Sequence, residues 1–393
     1  MKYDFDAKVE RRSTYSVKWN IPDGELPMWV ADMDFKTAPK IMERLQKRLD
    51  NGVFGYTDIP GEWAEAYMNW WKRRHGLEIE RESLVYCTGV IPALAMAIKK
   101  FTTEGEKVLI QSPVYNVFFN IVVNNGRRLV ESPLRYRDGA YEMDLEDLEE
   151  KLKDPLVTMM LLCNPHNPVG KIWERETLAK VGELCEKYGV LVVSDEIHCD
   201  ITEPGKDYVP FASVSPACAR NNVTAITPTK CFNLAGIQTA AVMVPDPLIR
   251  NRMKRAIWDG EVAEANAFAV DAVIGAFGES GDWLDEMREY VSENKKLVRE
   301  RIAAEIPQIH VVPSEATYLL WLDCGKICSD SREFSQFLRR EAKLFLSDGV
   351  QYGEAGRTFL RMNVACPRSY VEDGLTRLAE GVSKWITYKS CKA

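Results

Sequence analysis

Short apolar runs and amphipathic stretches alternate through the middle of the chain. Runs rich in β-branched and aliphatic residues occur at 107–111, 157–163, 190–194, 223–226 and 239–244. Each is four to seven residues long, which suits a buried strand better than a helix. Between two of them, Leu178, Val181, Leu184, Cys185 and Tyr188 recur at helical spacing and predict a helix over 177–188. Strand, helix, strand makes a crossover unit, so the pattern predicts an α/β fold with a largely parallel sheet covered by helices. A long charged helix is predicted over 283–306, followed by a smaller α+β lobe over 311–393. No internal repeat or low-complexity linker interrupts the pattern.

At 393 residues the chain is long for one core, and about two domains are expected. The composition, 46% hydrophobic and 28% charged, is that of an ordinary globular protein. The net charge of −7 argues against nucleic acid or an anionic membrane as the main partner. No run reaches the roughly 18 apolar residues of a spanning helix. The first 20 residues lack the apolar core of a secretory signal. Ten cysteines are scattered without a CxxC pair, and Cys324 and Cys328 have no nearby histidine to complete a metal site. They read as free thiols in a reducing, cytoplasmic setting, with no metal expected.

Three ordered segments carry the chemistry. Asn164-Pro-His-Asn-Pro-Val-Gly170 follows an apolar strand, and its prolines and glycine enforce a turn where ligands bind in open α/β sheets. Asn167 can offer its amide there. Val192-Val-Ser-Asp-Glu-Ile-His198 closes the next strand with an acidic pair, costly unless partnered. Asp195 there suits a cationic ring nitrogen, a helix cap or, with His198, a metal. Thr227-Pro-Thr-Lys-Cys-Phe-Asn-Leu-Ala-Gly236 sets Lys230 among hydroxyls just past another strand. Such a lysine can act as an amine nucleophile, with Thr227 and Thr229 donating to a phosphate, although most lysines are merely solvated. Thr88-Gly-Val-Ile-Pro92 opens a helix, leaving the N–H groups of Gly89, Val90 and Ile91 available to an anion.

The order NPxNPxG, SDEIH, then Lys230 resembles the fold-type I pyridoxal 5′-phosphate (PLP) enzymes of the class I/II aminotransferase superfamily, over essentially the whole chain. The resemblance implies an aspartate-aminotransferase-like fold. Residues 46–285 would form the large PLP-binding domain on a mostly parallel seven-stranded sheet. Residues 1–45 would be an N-terminal arm with part of the small domain, and 286–393 the C-terminal α+β small domain. It implies that Lys230 carries PLP as a Schiff base, that Asp195 pairs with the pyridine nitrogen, and that Asn167 contacts the ring hydroxyl. Gly89, Val90 and Ile91 would hold the phosphate, Tyr115 would stack on the ring, and His198, Thr227 and Thr229 would complete the cofactor site. Arg361 would clamp the substrate carboxylate, with Ala31 beside it. Tyr56, in Phe54-Gly-Tyr-Thr57, would reach a neighbouring subunit's cofactor and substrate, which requires a homodimer with shared sites.

Two positions depart from the common aminotransferase pattern: Gln238 replaces an arginine eight residues after Lys230, and His198 replaces a tyrosine. The segments Thr14-Tyr-Ser-Val-Lys-Trp19, Leu26-Pro-Met-Trp-Val-Ala-Asp-Met-Asp-Phe35 and Arg361-Met-Asn-Val-Ala-Cys-Pro-Arg368 look like the MalY/PatB-type cystathionine β-lyase subgroup. That resemblance implies a C–S lyase acting by α,β-elimination on L-cystathionine or related cysteine S-conjugates. Lys230 would take the Cα proton, a thiolate would leave Cβ, and pyruvate and ammonia would follow. The alternative is an aminotransferase acting on an amino acid and a 2-oxo acid. A ligand-sensing regulator is disfavoured, since the expected DNA-binding domain has no counterpart before Trp19.

Overall fold

The computed structural model describes residues 2–391; residues 1, 392 and 393, at the ends of the expected 1–45 and 286–393 segments, lie outside the described residues. Seven strands form the main sheet: β1 (Leu84–Cys87), β2 (Lys107–Ile110), β3 (Arg128–Glu131), β4 (Val157–Cys163), β5 (Leu191–Asp195), β6 (Asn222–Ile226) and β7 (Ala240–Met243). Their spatial order is β1-β7-β6-β5-β4-β2-β3. Every neighbouring pair is parallel except the two made by β7, which runs against both β1 and β6. The mostly parallel seven-stranded sheet implied by the resemblance is therefore present.

The apolar runs mark five of these strands to within a residue or two at each end. The runs miss the two edge strands, β1 and β3; the residues of β3 are partly or fully exposed and so lack a continuous apolar signal. Helix α1 (Val90–Phe101) packs on one face of the sheet, and α2 (Arg175–Lys187) connects β4 to β5. The 25-residue helix α3 (Gly281–Glu305) matches the predicted charged helix and leads to a second sheet. There, β8 (His310–Val311), β9 (Leu319–Asp323), β10 (Ser347–Asp348) and β11 (Phe359–Asn363) lie in the order β8-β9-β11-β10, all antiparallel. Helices α4 (Ser331–Ala342) and α5 (Arg368–Ser390) cover it.

The N-terminal segment belongs with this second sheet. Leu26 and Pro27 pair in parallel with Leu344 and Phe345, and the Met28 carbonyl accepts the Asn363 N–H. Gly170 joins the two sheets. Its carbonyl accepts the N–H groups of Glu315 and Ala316, its φ is +71°, and an added Cβ would stand 2.2 Å from Ser314 Oγ. Glycine alone satisfies both the dihedral and the close approach. Among the described residues, no helix is long and apolar enough to cross a membrane.

Candidate active site

Parallel strands deliver their C-terminal ends to one edge of a sheet, and ligands bind in the crevice beyond it. Thr88 and Gly89 follow β1, Tyr115 follows β2, Asn167 follows β4, Asp195 ends β5 and Lys230 follows β6. The antiparallel β7 begins at the same edge, bringing Gln238 and Thr239. Together these residues line a cavity of about 370 Å³, closed further by Ala31, Ile197 and His198.

Asp195 and Glu196 are adjacent, and strand alternation sends them to different fates. Glu196 turns inward and accepts from Ser194 Oγ (2.8 Å), Tyr208 Oη (2.5 Å) and the Phe211 N–H (3.0 Å). It is structural. Asp195 faces the cavity with one protein partner, the Ile197 N–H at 3.1 Å. Burial raises its pKa to about 7, against the pull of that N–H and of Lys230. Lys230 is shifted the opposite way. Burial and the nearby Arg361 lower its ammonium to about 8, while Asp32 and Asp195 favour the charge. Its Nζ donates to the Ala31 carbonyl at 2.6 Å.

The turn after β4 contains two cis X-Pro bonds, Asn164–Pro165 and Asn167–Pro168. It sets Asn167 so that Oδ1 accepts from Arg361 at 3.2 Å. Arg361 is buried on β11, donates its other terminal nitrogen to the Trp29 carbonyl (3.0 Å), lies over the Tyr352 ring, and leaves Nε unpaired. His198 is buried with Nδ1 unpaired, and burial beside Lys230 and Arg361 lowers its pKa to about 3. It faces the cavity as a neutral imidazole. At the start of α1, the N–H groups of Gly89, Val90 and Ile91 have no carbonyl partner among the described residues, and Pro92 has no N–H to give. This helix end can hold an anion.

Three expected site residues stand apart from the cavity lining: Thr227, Tyr56 and Arg361, which borders the cavity only through its bond to Asn167. Thr227 lies behind the lining: its hydroxyl donates to the Thr239 carbonyl (2.6 Å) and accepts the Thr229 N–H (3.1 Å). That bond shapes the Lys230 turn and leaves Thr229 as the hydroxyl on the wall. Tyr56 is 96% exposed and does not reach the cavity of its own chain. Among the described residues, Asp195 and His198 gain no third metal-ligating neighbour. The described residues that do gather are His75, Cys199 and Asp200. Asp200 there accepts from Trp70 (2.9 Å) and contacts His75 (3.0 Å), a packed polar hub under α3. All ten cysteines are free thiols, nine of them buried.

Sequence reasoning missed Tyr318, whose hydroxyl shares the Ala31 carbonyl with Lys230 at 3.0 Å. It also missed Asn363, whose amide donates to the carbonyls of Val30 and Asp32, each at 2.6 Å. The i, i+2 spacing of Arg361 and Asn363 on one strand was the available signal.

Comparison with known proteins agrees with this geometry. The family model for aminotransferase class I and II matches residues 27–378. Cystathionine beta-lyase PatB of Bacillus subtilis (strain 168) is 42% identical over 387 residues, covering 97% of this chain and 100% of the relative. Protein MalY of Escherichia coli (strain K12) is 32% identical, covering 97% and 99%. The crystal structure of cystalysin from Treponema denticola, which contains a pyridoxal 5′-phosphate cofactor, superimposes with a TM-score of 0.94 at 31% identity, covering 98% and 100%. By its sheet, its edge-of-sheet cavity and its full-length similarity, the chain belongs to the class I and II aminotransferase family.

Proposed function

We propose that this protein is a PLP-dependent carbon–sulfur β-lyase, cleaving L-cystathionine or a related cysteine S-conjugate to a thiol, pyruvate and ammonia. The observation that carries the reading is the presence of Lys230 and Asp195 in the lining of one cavity, in a chain similar to PatB over its whole length.

The residues fit PLP. Three N–H groups without a carbonyl partner at the start of α1 suit its phosphate, with Thr229 as a further donor. A buried carboxylate with one partner suits a ring cation, and an amine of lowered pKa suits an aldehyde. When bound, PLP supplies an electron sink for the Cα of an amino acid. The chain supplies the rest. Asp195 would face the ring nitrogen with its charge. Tyr115 would pack against the ring, and Asn167 and neutral His198 would meet its polar groups. Arg361 offers a planar donor fork to the substrate carboxylate, beside the Ala31 backbone. Lys230 would hold the cofactor aldehyde, and its amine is placed to take the Cα proton. Ile197 and Val90 keep water from the wall.

Other parts of the reading follow from the same geometry. The exposed Val53, Phe54 and Tyr56 form a surface suited to a second copy of the chain, so that Tyr56 completes the partner's site in a homodimer. The large unit would span 46–285, with 1–45 and 286–393 forming the small one. Free thiols throughout suit a cytoplasmic location.

The test is to incubate the purified protein with PLP and L-cystathionine and to measure pyruvate and free thiol. Both should rise together. Pyridoxamine phosphate accumulating without thiol would replace the lyase reading by transamination, which the same residues can serve.

A further inference from the structure

The Lys230 amine is held by backbone, and that backbone is held in turn. Five successive carbonyls, Trp29 to Met33, each accept from a side chain. Trp29 takes Arg361 and Ser347, both at 3.0 Å. Val30 and Asp32 take the two amide hydrogens of Asn363. Met33 takes Arg11 and Asn233, both at 3.0 Å. Ala31, at the centre, takes Lys230 and Tyr318. An irregular segment ordinarily turns its carbonyls to water. Here they turn inward and are pinned, and Asn363 is itself fixed by the Ala365 N–H at 2.8 Å.

A carbonyl oxygen has two lone pairs, and both at Ala31 are used. Tyr318 is fully buried on the approach to β9, edge-on to His198 at 6.3 Å, so its hydroxyl has little freedom to leave. We infer that the Ala31 carbonyl is the stand for the Lys230 amine whenever it is not joined to the cofactor, and that Tyr318, by sharing that oxygen, is a positioning residue that sets how firmly Lys230 keeps its proton. The inference rests on Lys230 being the reacting amine. An acceptor steadies the ammonium form. A second donor on the same oxygen drains its acceptor strength, so Tyr318 keeps Lys230 easier to deprotonate.

Two measurements on Tyr318→Phe test this. The first is the rate at which the cofactor-free chain takes up added PLP, followed by absorbance against pH; only the neutral amine reacts. The second is exchange of the Cα hydrogen of L-alanine in heavy water by the PLP-loaded protein, followed by NMR against pH. Loss of one hydrogen bond should move both ascending, acid-side limbs to higher pH by about half to one unit, a roughly 3- to 10-fold slowing near neutrality. The alanine concentration for half-saturation should hold. Asn363→Ser, which frees the flanking carbonyls and loosens the stand, should move the limbs downward, and serves if the phenylalanine variant does not fold. Limbs that coincide with the wild type's, or move the opposite way, overturn the inference even if the rates fall. Exchange without thiol release from L-cystathionine would sink the lyase reading and leave the Tyr318 result standing.

Discussion

Two ionic groups lie close together near the cavity and are built on opposite plans. In the first, Asp34 is buried beneath Lys18 (2.6 Å), Arg11 (2.6 Å) and Trp19 (2.8 Å), and Arg11 also pairs with Asp32 at 2.6 Å. Burial alone would raise the Asp34 pKa, but the two cations outweigh it and hold the carboxyl below its usual value. In the second, Asp195 is as deeply buried and Lys230 lies half-buried beside the cavity, both are under-partnered, and their pKa values converge on about 7 and about 8. The locked cluster fixes the N-terminal segment. The unlocked pair keeps its protonation states within reach of neutral pH, where a cofactor and a substrate can complete them.

The contrast can be broken by exchanging activity losses for stability losses. Lys230→Ala should abolish the visible absorbance of bound cofactor and lower turnover by at least about a thousandfold, since anchor and base vanish together. A surviving band would refute the anchor assignment. Asp195→Asn should lower kcat by about a hundredfold or more while the cofactor-free melting temperature holds or rises, because a costly buried carboxylate is gone. A fall in that temperature would place Asp195 with the structural ions. Asp34→Asn should do the reverse. It leaves Lys18 and Arg11 short of a counter-charge at a cost of about 3–5 kcal/mol in denaturant unfolding, with kcat of the folded fraction near normal.

The pH dependence of stability sharpens the comparison with a smaller effect. His166 and His198 have folded pKa values lowered by burial to about 4 and about 3. As pH falls below about 6.5 the unfolded chain takes protons that these two refuse, so stability drops. Asp195 works against them: its folded pKa of about 7 lets the native chain bind a proton early, which adds stability as pH falls from 7 to 4. The cofactor-free Asp195→Asn variant should therefore lose stability more steeply over that range, by up to about 1.4 kcal/mol per pH unit. Equal slopes would show that Asp195 titrates near its ordinary value. Below pH 4, Asp34 adds a further loss as its depressed carboxyl is finally protonated.

The main sheet was legible because its central strands are buried on both faces and read as unbroken apolar runs. Edge strand β3 was not, for the opposite reason. Lys230, Asp195 and Asn167 stood out because each follows a strand in a distinct motif, and the structure brings all three to one cavity. Thr227 looked equivalent to Thr229, since no sequence pattern says which of two nearby hydroxyls faces the Thr239 carbonyl. The clamp on Trp29–Met33 was invisible for a deeper reason. Its chemistry lies in backbone oxygens, which every residue has. Only its donors, among them Asn363, Tyr318 and Asn233, are particular, and they come from distant parts of the chain.

The buried cysteines acquire a meaning once the product is considered. A lyase of this kind works in a rising concentration of small thiols and, where air reaches them, of their oxidised dimers. An accessible thiolate would be captured by those dimers as a mixed disulfide. Nine of the ten cysteines are buried, Cys163 among them although it borders the cavity, and burial pushes thiols such as Cys87 and Cys185 up to about 11 and about 12. Cys391, near the chain's end and exposed, is the surface thiol most open to attack by what the protein makes.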